Sequence, residues 1–403
     1  MSVISFRRIK DAIDDVVDYL VYTPENVSIE LEKSLNKISG ENFSSKVDLP
    51  PYPKSTMDGY ALRHTDISGA SRDNPIPLKL IGSITMPFKK YDLKVGEGEC
   101  VFIETGCFLP SGTDAVVRIE DTYREGEVVY VMKTLAKYEN VSLPGEELKR
   151  GDPILKRGIR IKPWHIAALR FHGVSEIEVL NLRVLVVGTG DEFLEGLHIP
   201  FTLSLVRQWF IEYGFLKAEE IVVGDNKDEI KRIIRKSLPN YDMIVLCGGT
   251  SLGMKDYLAQ AIKELSPDVY IHGIALKPGR TTILSAISGK PVIGISGLPV
   301  AAYTNLELVI SEILRRWLGA EPIIKPRIKA ILTRRVTTKS GVRALVRVRV
   351  YSRKGSYIAE PLLTGGSGSL RSLLRSNGYL VIPEDVEGFE EGEVVEVVIH
   401  SWF

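Results

Sequence analysis

"RVLVVGTGDEF", residues 183–193, joins four uninterrupted apolar residues, Val184 to Val187, to a loop holding Gly188, Gly190, Asp191 and Glu192. A short run with no polar alternation reads as a strand buried on both faces, as in a parallel sheet covered by helices. The next 125 or so residues keep the same rhythm. "FTLSLVRQWFIEYG" is a helix stopped at Gly214, "EEIVVG" a strand, "KDEIKRIIRKS" a helix, "YDMIVLCGG" a strand and "DYLAQAIKELS" a helix. "KPVIGISG" is a further strand, and the helix "VAAYTNLELVISEILRRWLG" comes after it. The alternation predicts a central three-layer α/β domain with a mostly parallel sheet over residues 182–322.

Outward from this core the pattern changes. Between Ile76 and Tyr130 short β-rich runs are divided by Gly, Pro and Asp, the mark of an antiparallel barrel or sandwich, and define an inserted β module at 51–139. Flanking it, 1–50 and 140–181 are expected to close together as an N-terminal linker and helical domain. There Ile9, Ile13, Val16 and Leu20 keep helical spacing, and "YTPENVSIELEKSLNKISG" reads as a second helix. Beyond 323, β runs with one intervening helix, "SLRSLLRSNG", predict a C-terminal β barrel over 323–403. The fold class is therefore multidomain, α/β plus β.

Composition removes several functions. Lys and Arg number 52 and Asp and Glu 51, so a net charge of +1 offers no bulk field for nucleic acid or an acidic membrane. Cys100, Cys107 and Cys247 form no CxxC or Cys/His pattern, which speaks against a disulfide framework or a structural zinc site. In the N-terminal "MSVISFRRIKDAIDDVVDYL" charges interrupt every apolar run, and no stretch of 18 apolar residues occurs elsewhere. A soluble, cytoplasmic protein is expected.

In an open parallel sheet, ligands lie beyond the carboxyl ends of the strands. The loops there carry chemistry. Gly188 and Gly190 let backbone N–H groups approach an anion, while Asp191 and Glu192 suit a divalent cation or simply cap a helix. "GGTSLGMKD" offers Gly248, Gly249 and Ser251 as a donor-rich cradle and Asp256 as a cation ligand or an N-cap. Lys277 and Arg280 of "KPGRTT" suit a tetrahedral oxyanion, and Gly297 and Pro299 lead into a helix N-terminus with the same preference. Ser367 and Ser369 precede another helix. Arg343, Arg347 and Arg349 alternate and should share one strand face, most of them in solvent. No Walker loop, dinucleotide fingerprint or Ser/His/Asp arrangement is present. Cations, glycine nests and carboxylates together predict metal-assisted phosphoryl or nucleotidyl chemistry.

"DLPPYPKSTMDGYALR", "TGCFLPSGTDAVVRIED", "NVSLPGEELKRGD", "GTGDEF", "GGTSLGMKDY", "KPGR", "GISGLPV" and "GSGSLRSLLRSNG", in this order, resemble the molybdopterin molybdenumtransferases, the MoeA family that includes the gephyrin E domain. The resemblance implies a MogA-like central domain and Mg²⁺-dependent insertion of molybdate or tungstate into adenylylated molybdopterin, with release of AMP. It implies a homodimer whose site joins the α/β domain of one subunit to the N-terminal segment of the other, and a MogA/MoaB-type adenylyltransferase as a partner. By position, Asp58, Thr105, Glu192, Asp225 and Asp256 would surround metal and phosphate. Lys277, Arg280, Ser367 and Arg347 would hold the oxyanion or pterin phosphate. Leu298, Ala301 and Thr281 depart from the family pattern. A diverged paralogue that binds a molybdopterin nucleotide or a partner protein without inserting metal is the alternative.

Overall fold

A computed structural model describes residues 6–248, 257–362 and 366–400. The chain forms two compact units, one of Met1–Glu41 with Leu155–Phe403 and one of Asn42–Ile154.

In the first unit a six-stranded sheet runs in the order Lys217–Val223, Arg183–Thr189, Met243–Cys247, Lys290–Ile295, Ile283–Ile287 and Val269–His272. The first four strands are mutually parallel, and the last two are antiparallel. Arg183–Thr189 shows why an uninterrupted apolar run was needed. Val184 and Val186 enter one core with Phe210, Ile13 and Leu306, while Leu185 and Val187 enter another with Ile230, Ile234 and Leu258. Alternate side chains thus serve opposite faces, each covered by helices. Full burial of each such side chain contributes about 1.5–3 kcal/mol. The helix Phe201–Tyr213 ends as expected at Gly214, whose φ of 116° is left-handed. Asn226 caps Lys227–Ser237, its side chain accepting from the N–H groups of Asp228 and Glu229.

Three features differ from the sequence reading. "YTPENVSIELEKSLNKISG" is not a second helix. Asn26–Glu30 is a strand antiparallel to Glu176–Leu180, with Val27 opposite Val179 and Ile29 opposite Ile177, and only Leu31–Lys33 makes a 3₁₀ turn. Val27 and Ile29 satisfy a period of two, and their β-branched side chains favour the ladder over a helix. Second, the antiparallel edge of the main sheet had no counterpart in the sequence reading. Its hairpin turns at Ser288 and Gly289, both at positive φ, the geometry of a two-residue primed turn. Third, the arginine strand does not hold most of its arginines in solvent: Arg347 is buried and Arg343 only half-exposed.

The C-terminal strands Arg343–Arg353, Ser356–Pro361, Arg327–Leu332, Val394–Ile399 and Gly378–Ile382 pair in that order, and the last pairs back onto the first. The closed barrel encloses Val346, Val348, Ala359, Leu380 and Val397. In the second unit a six-stranded sheet, largely antiparallel, includes Gly59–Leu62 at its second position. One parallel pair, Ile76–Ile84 with Glu99–Ile103, interrupts the antiparallel pattern. Cys100, Cys107 and Cys247 are buried free thiols.

Candidate active site

Strand Arg183–Thr189 and strand Lys217–Val223 run in register, so their ends bring two acidic segments side by side. Gly190 carries a φ of 155°, and a Cβ there would lie 2.6 Å from both carboxylate oxygens of Glu192. The positive φ is what favours glycine between the strand and the short helix Asp191–Leu194, since the flexible Glu192 carboxylate could move aside. Asp191 Oδ1 accepts the Asp225 N–H at 3.0 Å. Burial, then the Asp191 and Glu192 charges, push the Asp225 carboxyl above its ordinary value. Three sequence-predicted carboxylates are therefore neighbours. Asp191, Glu192 and Asp225 are the described residues whose hard oxygen donors could be offered to a divalent cation. Among the described residues no tight group of three or more His, Cys, Asp or Glu is already converged on one point.

From this acidic corner, contacts run along the strand ends. Gly188 packs on Leu203, where a Cβ would stand 2.6 Å from Leu203 Cδ1. Gly248, at φ 114°, lies against Thr189, and a Cβ would meet the Thr189 carbonyl at 2.8 Å and its hydroxyl at 2.9 Å. The Thr189 hydroxyl is buried and, among the described residues, has no hydrogen-bond partner. Gly297 faces Gly248 at 3.5 Å from its Cβ direction, and its carbonyl accepts from Thr202 Oγ1 at 2.8 Å. Leu298 is the N-cap residue of helix Pro299–Asn305, is about half exposed, and comes within 3.6 Å of the Cβ direction of Gly368. Gly249, Ser251 and Asp256 lie outside the described residues.

Gly368 belongs to the turn Gly366–Gly368, which contains Ser367 and leads to the helix Leu370–Arg375. Ser369 caps that helix by accepting the Ser372 N–H. Ser372 Oγ in turn accepts from Arg347 Nε at 3.1 Å, and Arg347 Nη2 donates to the Leu362 carbonyl at 3.2 Å. Arg347 is 8% exposed, and burial lowers its pKa. A solvated strand face was expected for most of the three arginines. Instead Arg347 is buried on neutral partners, Arg343 is paired with Glu384, and only Arg349 is exposed. The strand's neighbours decide this, because helix Leu370–Arg375 packs over Arg347.

Lys277 and Arg280 are both exposed and, among the described residues, have no carboxylate partner. The Arg280 guanidinium stands 5.8 Å from the centre of the Phe6 ring. Lys277 sits on a barrel-facing strand, Leu276–Lys277, opposite Ala344. The Ile274 N–H donates to the Arg280 carbonyl at 2.9 Å, closing the turn that carries both cations.

Asp58 and Thr105 are brought together within the second unit. Asp58 Oδ1 accepts the Thr105 N–H at 2.7 Å and the Thr105 hydroxyl at 2.8 Å. Those two bonds hold the exposed Asp58 carboxyl below the usual carboxylate range. Gly59, next in sequence, begins strand Gly59–Leu62, and a Cβ there would sit 1.8 Å from the Val117 carbonyl. The sequence reading missed Thr189, Thr282 and Asn305. Asn305 looked like any residue of an amphipathic helix, and only its complete burial would have drawn attention to it.

Three family profiles cover most of the chain. The MoeA N-terminal region (domain I and II) matches residues 5–173, the "Probable molybdopterin binding domain" residues 185–316, and the MoeA C-terminal region (domain IV) residues 329–399. A molybdopterin molybdenumtransferase of Staphylococcus aureus is 30% identical, covering 97% of this chain and 95% of its own. Two solved molybdopterin biosynthesis MoeA proteins of Pyrococcus horikoshii superpose over nearly the whole chain. One has a TM-score of 0.84 at 25% identity, covering 98% of this chain and 100% of its own. The other has a TM-score of 0.77 at 31% identity, covering 99% and 100%. Strand-end carboxylates, glycine loops, a cationic turn and a closed barrel thus occur in one matching architecture, and the chain belongs to the MoeA family of molybdopterin molybdenumtransferases.

Proposed function

We propose that this protein inserts molybdate, or tungstate of the same tetrahedral form, into adenylylated molybdopterin with release of AMP. The observation that carries the reading is one continuous line of contacts. It runs from Asp225 and Asp191, through Thr189, Gly248 and Gly297, to Leu298 and the Gly366–Gly368 turn. Carboxylates for a cation and glycine backbone for a phosphorylated ligand thereby share one crevice edge. Lys277 and Arg280 neutralise the oxyanion, and their lack of carboxylate partners among the described residues leaves that charge available. Glu192 and Asp225, with Asp58 and Asp256, would hold Mg²⁺. When bound, that ion stabilises charge on the leaving phosphate. Asp58, kept ionised by Thr105, supplies a carboxylate or an acceptor at neutral pH. We further propose a homodimer in which Asp58 and Thr105 serve the partner subunit's α/β domain, and a cytoplasmic location.

Retention of this carboxylate and cation set favours the enzyme over a binding-only paralogue, since a scaffold has no need of it. Incubation of the purified protein with adenylylated molybdopterin, Mg²⁺ and either oxyanion should release AMP in an anion-dependent manner. Tight pterin binding with no AMP from either anion defeats the proposal and selects the paralogue.

A further inference from the structure

Lys277 and Arg280 are long side chains on a turn, and two flexible cations do not make an oxyanion site unless the turn itself is fixed. We infer that Asn305, through Thr282, is the positioning residue that fixes it. The inference rests on the reading of Lys277 and Arg280 as the oxyanion grip.

Asn305 closes the helix Pro299–Asn305, and both ends of its amide are engaged. Nδ2 donates to the Ala301 carbonyl at 3.0 Å, and Oδ1 lies 2.6 Å from Thr282 Oγ1. The single Thr282 hydroxyl hydrogen is shared between Asn305 Oδ1 and the Gly279 carbonyl, 2.7 Å from Oγ1 inside the cationic turn. Asn305 is 0% exposed and Thr282 1% exposed. No water competes for these bonds, so their geometry is enforced. Gly279, between Lys277 and Arg280, takes a φ of 115°, and a Cβ there would fall 2.5 Å from Asn305 Nδ2. The turn is therefore seated directly on the amide. A helix residue of this size and polarity matches the turn on both hydrogen bonding and shape.

The same helix begins at the crevice, where Leu298 caps it beside Gly368. Asn305 consequently couples the turn bearing the cations to the helix whose N-terminus opens on the crevice. The Gly273 N–H to Thr282 carbonyl bond at 2.9 Å and the Ile274 N–H to Arg280 carbonyl bond close the turn at its base. The Thr282–Asn305 bond ties its far limb to the helix. Asn305 touches neither reacting group. Its effect is on where Lys277 and Arg280 stand.

The test uses the full chain and molybdate or tungstate alone, titrated calorimetrically, then AMP-release kinetics against anion concentration. Thr282→Val keeps the shape and removes the hydroxyl. It should weaken anion binding and raise KM for the anion about 10-fold, the loss expected for one hydrogen bond, with kcat at saturation within about 2-fold. Asn305→Ala should do the same or more. Thr282→Ser should retain parental affinity, and the double variant should be no weaker than the worse single one, because both remove one shared link. A merely structural role moves Tm and leaves anion affinity unchanged. Folded Thr282→Val with parental affinity and KM overturns the inference while leaving the transferase reading in place. A parent protein that binds neither anion and releases no AMP with either overturns both.

Discussion

Two stretches of the segment 299–317 treat charge in opposite ways. Beside the turn that Asn305 supports, Lys277 and Arg280 stand exposed with no carboxylate partner among the described residues, and at the strand end the buried Thr189 hydroxyl has no partner among them either. Just beyond Asn305, in a π-helical stretch Leu306–Ile310, Glu307 has both carboxylate oxygens engaged. Its Oε1 accepts from Trp209 Nε1 at 2.9 Å, and its Oε2 accepts from Tyr379 Oη at 3.0 Å and from Lys325 Nζ. Those partners come from the helix Phe201–Tyr213, the barrel and the segment leading into it. A satisfied buried network is architecture, whereas polar groups left open at strand ends await a ligand. The wide cleft of about 710 Å³ beside Glu307, lined by Arg160, Trp209, Tyr303, Tyr379 and His400, belongs to the first kind by this criterion.

The sharpest way to break the contrast is to empty the clasp. Glu307→Ala strands the Trp209 and Tyr379 donors and a Lys325 cation around a carboxylate only 4% exposed. Unfolding free energy should fall by about 3 kcal/mol, seen in urea titration, with oxyanion affinity in the folded protein unchanged. A parental midpoint would show the clasp to be ornamental.

Removing charge from the exposed turn should do the reverse. Lys277→Ala should lower kcat/KM for the oxyanion about 100-fold with the thermal midpoint unmoved, because that exposed cation holds no carboxylate among the described residues. Loss of stability without loss of turnover would place Lys277 with Glu307 and erase the distinction.

The smallest effect concerns Asp58. Its folded pKa lies below the unfolded value of 3.8, so the ionised form adds stability that is fully present above that value. That contribution is lost as pH falls through the folded pKa. Thr105→Val removes the hydroxyl bond and keeps the backbone one. The carboxyl should titrate at a higher pH, moving the acid limb of the pH–rate profile upward by less than about one unit. An unmoved acid limb would remove Asp58 ionisation from the rate.

Within the α/β domain, strands and helices were readable because Val184–Val187 and Met243–Cys247 need two buried faces, and alternation with amphipathic helices leaves few arrangements. The turns after those strands could be placed because glycine ends an apolar run, while the role of their carboxylates stayed open between cation ligand and helix cap. Asn26–Glu30 was misread because Thr23-Pro24 and Gly40 bound the stretch as a helix start and stop would, although Val27 and Ile29 keep the period of a strand. Its partner, Glu176–Leu180, is about 150 residues away in the chain. No local pattern names such a partner.

The sequence by itself determined the α/β core, the strand-end loops and the kinds of chemistry available there, because buried periodicity and glycine geometry are local properties. Which charges remain open was decided only by the tertiary structure. Arg347 and Arg349 are two residues apart on one strand, yet one lies under the helix Leu370–Arg375 and the other in solvent. Glu307 and Asn305 are likewise two apart, one tying the α/β domain to the barrel and the other supporting a cationic turn. Burial and partnership depend on chain segments that meet only after folding, and in this protein those two properties separate the charges that hold the fold from those left open at the surface.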